Sequence, residues 1–207
     1  MTIAAGEYKS TIGLDDLYYA LVTEDSATAY TAGTPKTLAP AAEASQEPAT
    51  SMTTQNADDQ PFDNSYGEGP TKVTLMITAL PLITLAEITG NVYDPVNGLM
   101  YDGAGIPPDC ALLFRSRKSN GNYKYYEYLK GNFEKPKEAH KTKADTTEFQ
   151  PVTIIFTAIR TTHKFVQSGS KTESLLRLVG DEDIDNFDGS DWFTQVTVPP
   201  AVPGTSI

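Results

Sequence analysis

The sequence has little of the chemistry on which disulfide-linked or metal-binding domains depend. Cys110 is the single cysteine among 207 residues, so the chain offers no pair for an internal disulfide and no thiolate cage for zinc. It lies inside the apolar run "CALLF". We expect its side chain to pack as a small hydrophobic group.

Long apolar runs and export signals are also absent. The longest uncharged apolar stretch, residues 73–86, contains Pro81 and is too short to cross a bilayer. The opening "MTIAAGEYKS" lacks the basic start and apolar centre of a signal peptide, and no Asn-x-Ser/Thr acceptor occurs. We therefore expect a soluble chain that is made in a reducing cytoplasm and has no membrane partner.

Catalytic motifs are missing as well. His140 and His163 are the two histidines, and neither a Gly-x-Ser-x-Gly elbow, a P-loop nor a His-Glu-x-x-His pattern is present. The sequence therefore predicts a protein that is not an enzyme and has no cofactor.

Aspartates are plentiful, but their spacing does not match a metal-binding loop. In "GDEDIDNFDGSDW", counting from Asp181 puts Asn186 and Trp192 where an EF-hand loop needs glycine and glutamate. A second acidic segment, "NADDQPFDNSYGEG", has no histidine nearby. Its aspartates are Asp58, Asp59 and Asp63. The composition of both segments is typical of solvent-exposed turns, and we predict no metal site in either.

Charge is distributed unevenly along the chain. The net charge of −11 argues against a nucleic-acid binder. Residues 1–110 carry 3 basic and 15 acidic side chains, residues 111–171 carry 12 and 5, and residues 172–207 carry 1 and 7. Two interpretations stay open: complementary patches that steer copies together, or charges that only keep the surface solvated.

The basic stretch begins with interleaved tyrosines and lysines, a pattern typical of single-strand nucleic-acid binders. Glu134 and Glu138 interrupt its lysine-rich part, which runs from Lys130 to Lys143. Acidic groups inside a phosphate-binding groove weaken binding. The mixed charge therefore favours an exposed loop, or a loop that contacts an acidic protein surface.

Alternation with a period of two dominates the chain and predicts strands. "VTLMITA" places Val73, Leu75, Ile77 and Ala79 on one face. "DLYYALVTE" and "CALLFRSRK" alternate in the same way, and so does "WFTQVTVPP" until its prolines. "PVTIIFTAI" is apolar or threonine throughout, which predicts a central strand.

Turn and helix signals connect these strands. Asn120-Gly121 predicts a hairpin with a type I′ turn between residues 110–119 and 122–133. A short helix is predicted from Pro81 to a glycine cap at Gly90, with Leu82, Leu85 and Ala86 on one face. "KTESLLRLVG" is a weaker second helix candidate.

Two regions have compositions unlike a core. Residues 26–51 are rich in Ala, Thr, Pro and Ser, which permits extended strands but not a packed interior. The end of the chain, "PAVPGTSI", reads as an extended proline-rich arm.

The order of these pieces resembles the major tail proteins of long-tailed, non-contractile bacteriophages, the family that forms the tail tube. The acidic loop "ADDQPFDNSYGEG" leads into the strand "PTKVTLMITALPL" and a short helix. The Asn-Gly hairpin, "KTK" at residues 141–143 and "EFQPVTI" follow, and the start "STIGLDDLYYALVTED" fits the same pattern. The resemblance covers most of residues 10–198, and the segment 26–50 departs from it.

The resemblance implies a single tail-tube domain over residues 1–207: a β-sandwich or β-barrel core at about 10–198, one flanking short helix, and arms at 1–9 and 199–207. It further implies hexameric rings that stack into a tube in the virion tail and conduct DNA during ejection. Implied partners are further copies of the chain, a tape-measure protein in the lumen, and tail terminator and tail-tip proteins. Viral DNA would pass without specific binding.

Within this picture we expect a long inner hairpin and charged contacts between copies. The hairpin would pair residues 50–56 with 69–79. Seven residues are candidate inter-subunit contacts, three acidic ones in the hairpin loop and four basic ones facing an acidic neighbour: Asp58, Asp59, Asp63, Lys135, Lys137, Lys141 and Lys143. The alternatives left open are a monomeric β-sandwich that binds carbohydrate or a cell surface, and the tube protein of a contractile injection system.

Overall fold

The protein is built mainly from β-strands, as the sequence predicts. A computed structural model describes residues 9–57, 60–137, 151–167, 171–184 and 186–199. Thirteen strands and one α-helix are found among those residues. In chain order they are β1 (Thr11–Asp25), β2 (Tyr30–Ala32), β3 (Lys36–Thr37), β4 (Ala41–Ala57), β5 (Gln60–Ile77), α1 (Leu82–Thr89), β6 (Val92–Asp94), β7 (Leu99–Tyr101), β8 (Cys110–Lys118), β9 (Tyr123–Phe133), β10 (Val152–Ala158), β11 (Lys164–Val166), β12 (Thr172–Ser174) and β13 (Arg177–Asp181). The predicted terminal arms lie almost entirely outside the described residues.

One large antiparallel sheet organises the molecule. Its strand order is β2-β1-β8-β9-β10-β5-β4, with β3 added beside β1 and β13 added beside β9. The apolar strand β10 lies between β9 and β5, which confirms its predicted central place. The order runs from β2 to β4 without closing, so the described chain forms an open sheet rather than a barrel. None of its residues form a helix long and apolar enough to span a membrane.

The main core joins strands from distant positions in the sheet. Leu17 of β1 and Leu75 of β5 are far apart in the strand order, yet they belong to one buried cluster. The sheet therefore curls around a shared interior, as in a sandwich, and Ile88 of α1 packs into the same cluster. Cys110 is fully buried there, which confirms its predicted packing role, and burial raises the pKa of its thiol to about 12.

The opposite face of β1, β8 and β9 is covered by residues 186–199, which we call the cover segment. Its Trp192 packs with Tyr125 of β9, with ring centroids 5.5 Å apart. The prediction of a strand at "WFTQVTVPP" is wrong. The chain turns here, because the N–H of Thr194 donates to the carbonyl oxygen of Asp191 at 3.0 Å. A segment that crosses a sheet face buries its side chains without joining the hydrogen-bonded ladder.

The hairpin of β8 and β9 confirms the strongest local prediction, with one correction. Its turn is not type I′, because Gly121 has φ 93° whereas Asn120 is not among the residues with positive φ. The loop has three residues, and the N–H of Lys118 donates to the carbonyl oxygen of Asn122 at 2.8 Å. A type I turn followed by a glycine in the left-handed region gives this geometry.

Helix α1 follows Pro81 and ends at Gly90, which has φ 70°, so the predicted boundaries are confirmed. Leu85 and Ala86 are buried as expected, but Leu82 is exposed. The second helix candidate is wrong, because that segment forms β12 and β13. Pairing of β13 with residues 124–128 of β9 outweighs the helical spacing of its leucines.

The backbone around Gly90, the glycine that caps α1, leaves no room for a side chain. A Cβ atom there would lie 2.1 Å from the carbonyl oxygen of Ile106, and the residue has positive φ. We expect Gly90→Ala to lower the free energy of unfolding by at least about 2 kcal/mol, measured by urea denaturation. Gly98→Ala is the matched control, since Gly98 has φ 65° and nothing within 4 Å of the added Cβ. Equal losses in the two variants would contradict the contact with Ile106.

Candidate functional site

The far half of the long hairpin formed by β4 and β5 projects exposed side chains wherever the structure describes them. Pairing between them continues from Pro48↔Thr71 out to Ala57↔Gln60. We call residues 49–57 and 60–70 the ribbon. Every described side chain in residues 49–54 and 64–70 is exposed, so this stretch has no covered face. An isolated two-stranded hairpin is marginally stable in water.

The ribbon also has strand edges that nothing in the described chain pairs. β4 is the last strand of the sheet order, and β10 pairs with β5 only over residues 71–77. The first half of β4 carries the residues that normally protect an edge, Glu43, Glu47 and Pro48. The second half, "ATSMTTQNA", has no charge and no proline. This half of the edge is therefore open to pairing with another chain.

An apolar pair lies on one face of the ribbon. Met52 and Tyr66 are directly opposite each other in the register and are 70% and 61% exposed. Thr54 and Asn64 share that face, and the Thr54 hydroxyl bonds to Asn64 Oδ1 at 2.7 Å. The face offers apolar and neutral polar groups, which suits contact with protein.

An ion pair fixes the base of the ribbon. Arg160, which follows β10, contacts the carboxylate of Glu68 in β5 and donates to the carbonyl oxygen of Ser174 at 3.1 Å. A register shift between Pro48 and Thr50 lies at the same level of the hairpin. Such irregularities bend a strand pair, so this is the point where the ribbon leaves the body of the sheet.

Of the three acidic candidates, the structure describes the backbone of Asp63 alone. The turn between β4 and β5 is shorter than predicted, because Asp63 lies within β5 and pairs in register with Gln55. Asp58 and Asp59 lie outside the described residues. The predicted pairing of residues 50–56 is displaced relative to expectation, since their partners are residues 61–68 rather than 69–79.

The basic candidates are only partly placed. Lys135 is exposed and forms an ion pair with Asp102 of its own chain. Lys137 is exposed and its backbone pairs with Thr153 beside β10. Lys141 and Lys143 lie outside the described residues. Lys135 therefore has an acidic partner before any neighbour arrives.

Other basic residues of the 111–171 segment are also neutralised within the chain. Lys130 contacts Asp25 at 2.7 Å, and both side chains are largely buried. Burial alone would raise the pKa of Asp25, but Lys130 and the backbone N–H groups of Thr162 and His163 lower it to about 2. Part of the positive charge in this segment is therefore used in ion pairs within the fold and is not available to a neighbouring copy.

The acidic turn after β13 shows the same use of charge. The ammonium group of Lys118 lies between the carboxylates of Asp181 and Asp183, at 2.5 Å from Asp183 Oδ2. Asn120 and Asn122 also donate to Asp183 at 2.7 Å. These aspartates brace the β8–β9 hairpin. In the part of the chain that the structure describes, no three His, Cys, Asp or Glu side chains converge to hold a metal ion.

One buried acid was missed from the sequence. Glu127 of β9 is fully buried beneath the cover segment, and neither carboxylate oxygen has a hydrogen-bond partner among the described residues. Burial raises its pKa to about 8, and the N–H and hydroxyl of Thr197, which lie near the carboxylate without forming a hydrogen bond of normal geometry, offset that rise only in part. The alternation of Glu127 with Tyr125 and Leu129 could have indicated an inward position.

Comparison with known proteins agrees with this arrangement. A family model described as phage tail tube protein matches residues 46–191, which is well over half of the chain. The match includes the ribbon, α1, the β8–β9 hairpin and β10. No curated protein matches the chain. The chain therefore belongs to the phage tail tube protein family, a structural component of the virion tail that assembles into a tube with other tail proteins.

Proposed function

We propose that this chain forms hexameric rings that stack into the tail tube and conduct viral DNA during ejection. The ribbon is the observation that supports this function. Its described side chains are solvent-exposed on both faces, and the outer half of its β4 edge carries no charge or proline. In a monomeric protein such an edge would promote unwanted association with other chains. Pairing with a neighbouring copy would satisfy the backbone groups of that edge.

A ring can form if one edge of the ribbon in each copy pairs with the other edge of the ribbon in the next copy. The outer edge of β4 in one copy would lie beside residues 60–70 of β5 in the next, which is a heterologous contact. Such contacts close into a ring when the rotation between copies divides a full turn. Six copies joined in this way would line a lumen with their ribbons.

The charge of the chain suits a conduit for DNA. Each lysine or arginine contact with phosphate adds affinity, and a lumen that held phosphates would slow the passage of DNA. The net charge is −11, and the ribbon has no basic residue. DNA would therefore pass without specific binding, after a tape-measure protein has left the lumen.

The remaining contacts concern the stacking of rings and the ends of the tube. The acidic tip around Asp58, Asp59 and Asp63 would reach a neighbouring ring, where Lys137, Lys141 and Lys143 offer opposite charge. Tail terminator and tail-tip proteins would cap the two ends. The protein would be made in the host cytoplasm and function in the virion tail.

The experiment is assembly of the purified chain at rising concentration, followed by negative-stain electron microscopy and mass measurement. The proposal predicts rings with six copies and then tubes. If the particles stay monomeric at every concentration and bind carbohydrate, the result would contradict the proposal. It would support the alternative hypothesis of a monomeric β-sandwich that binds carbohydrate or a cell surface.

Charge reversal tests the stacking contact. We expect glutamate at Lys137, Lys141 and Lys143 together to reduce tube length several-fold while rings still form, because repulsion would replace attraction between like-charged loops. Lys135→Glu alone serves as the comparison, since Lys135 already pairs with Asp102. Tubes of normal length from the triple variant would show that these lysines do not steer stacking.

A further inference from the structure

A small hairpin beside α1 presents an apolar surface that the ribbon does not explain. β6 and β7 form a separate two-stranded sheet, and the register places Val92 opposite Tyr101 and Asp94 opposite Leu99. Val92, Leu99 and Tyr101 therefore share a face. Val96 in the turn and Ile106 after the hairpin are exposed as well. We call Val92, Val96, Leu99, Tyr101 and Ile106 the hairpin patch.

The hairpin patch is large for a free surface. Its five residues are between 52% and 88% exposed. With typical residue areas, the exposed surfaces of the five residues sum to roughly 600 Å², compared with the roughly 800 Å² that one partner gives to a standard interface. The patch is therefore of the size that a protein partner covers.

The one carboxylate on the face of the patch is already hydrogen-bonded within the hairpin, which reduces the cost of covering it. Asp94 is the acidic residue on its face, and its carboxylate accepts hydrogen bonds from the N–H of Val96 at 2.9 Å, the side chain of Asn97 at 2.6 Å and the hydroxyl of Tyr101 at 3.1 Å. These bonds lower the pKa of Asp94. The acid is thus engaged by its own hairpin before any partner binds.

The backbone holds the patch in a fixed place. Two backbone segments of the same chain lie in close contact here. A Cβ atom added at Gly90 would lie 2.1 Å from the carbonyl oxygen of Ile106, and one added at Gly105 would lie 2.6 Å from the carbonyl oxygen of Gly90. Asn91 donates to Asp102 at 3.2 Å, which ties the end of α1 to the chain after β7. A preformed surface loses little entropy on binding.

The geometry points to a second copy of this chain as the partner, with the Met52–Tyr66 face of its ribbon lying on the hairpin patch. Both surfaces are exposed and largely apolar or neutral, and the acid on each is already engaged: Glu68 on the ribbon face pairs with Arg160, and Asp94 accepts hydrogen bonds from its own hairpin. They lie on different parts of the chain, as a heterologous contact requires. The inference rests on the proposed function and adds which face of the ribbon is turned toward protein.

A charge-swap experiment on the full-length chain tests this contact. Tyr101→Lys and Tyr66→Glu are each expected to reduce the sedimentable tube fraction at least tenfold, because each places a charged side chain in a largely apolar contact. The two variants mixed, or combined in one chain, are expected to recover most of the tubes. Val166→Lys is the control, because Val166 is an exposed residue of another small hairpin.

The outcomes separate the inference from the proposed function. Normal tubes from Tyr101→Lys would overturn the patch as an interface, and failure of the swap to restore tubes would overturn the ribbon as its occupant. Absence of tubes from the wild type would overturn the proposed function itself. Thermal unfolding checks each fold, and Leu99→Lys with Met52→Glu replaces the pair if a tyrosine variant is destabilised.

Discussion

Ser51→Lys combined with Thr53→Lys is expected to raise the protein concentration needed for tube formation at least about tenfold. Both residues lie in the uncharged half of β4, where the edge has no partner in the described chain. A charged side chain on an open edge prevents another strand from pairing there. Light scattering against concentration, checked by electron microscopy, measures the change.

The monomer should tolerate these substitutions. Ser51 and Thr53 are fully on the outside of the fold, so the free energy of unfolding is expected to change by less than about 0.5 kcal/mol. Thr172→Lys is the control for added charge, because Thr172 is the exposed first residue of β12. Normal assembly of the Ser51, Thr53 double variant would show that the edge of β4 is not used.

The second large effect is a loss of stability at alkaline pH that depends on Glu127. Its pKa is about 8 in the folded chain and near 4.5 when unfolded, so burial favours the protonated form. The stabilising contribution is complete below pH 4.5 and is lost as the pH rises through 8. We expect the melting temperature to fall by roughly 5–10 °C between pH 6 and 9.5, and Glu127→Gln to remove most of that fall.

Trp192 gives a local readout of the same event. It is the single tryptophan of the chain, is 5% exposed and lies in the cover segment over the face of β9 that holds Glu127. Ionisation of Glu127 should loosen this segment, so acrylamide quenching of Trp192 is expected to increase above pH 8 in the wild type alone. The same increase in Glu127→Gln would assign it to another group.

Much of the sheet was predictable because burial has a period. In β5 the alternation of Val73, Leu75 and Ile77 matches three residues with no exposed surface. The glycines at positions 90 and 121 also lie where positive φ is required. These features depend on residues that are close together in the sequence, so they can be predicted from one sequence alone.

The errors lie where distant parts of the chain decide the conformation. The segment 172–181 has helical spacing, but β9 offers it a free edge. Trp192 and Val196 alternate like a strand, yet they cover the face around Tyr125. The candidate lysines and aspartates were harder still, because a formal charge does not show that Lys135, Lys130 or Lys118 already has a partner.

Backbone hydrogen exchange on free subunits and on assembled tubes measures the completion of the ribbon most directly. If neighbouring copies supply backbone hydrogen-bond partners for both edges of the ribbon, amides in residues 49–57 and 60–70 will exchange quickly in the subunit. In the tube the same amides will exchange at least about a hundredfold more slowly. Amides of β10, already central, will change little. Tubes whose ribbon amides still exchange at the subunit's rate would contradict the account.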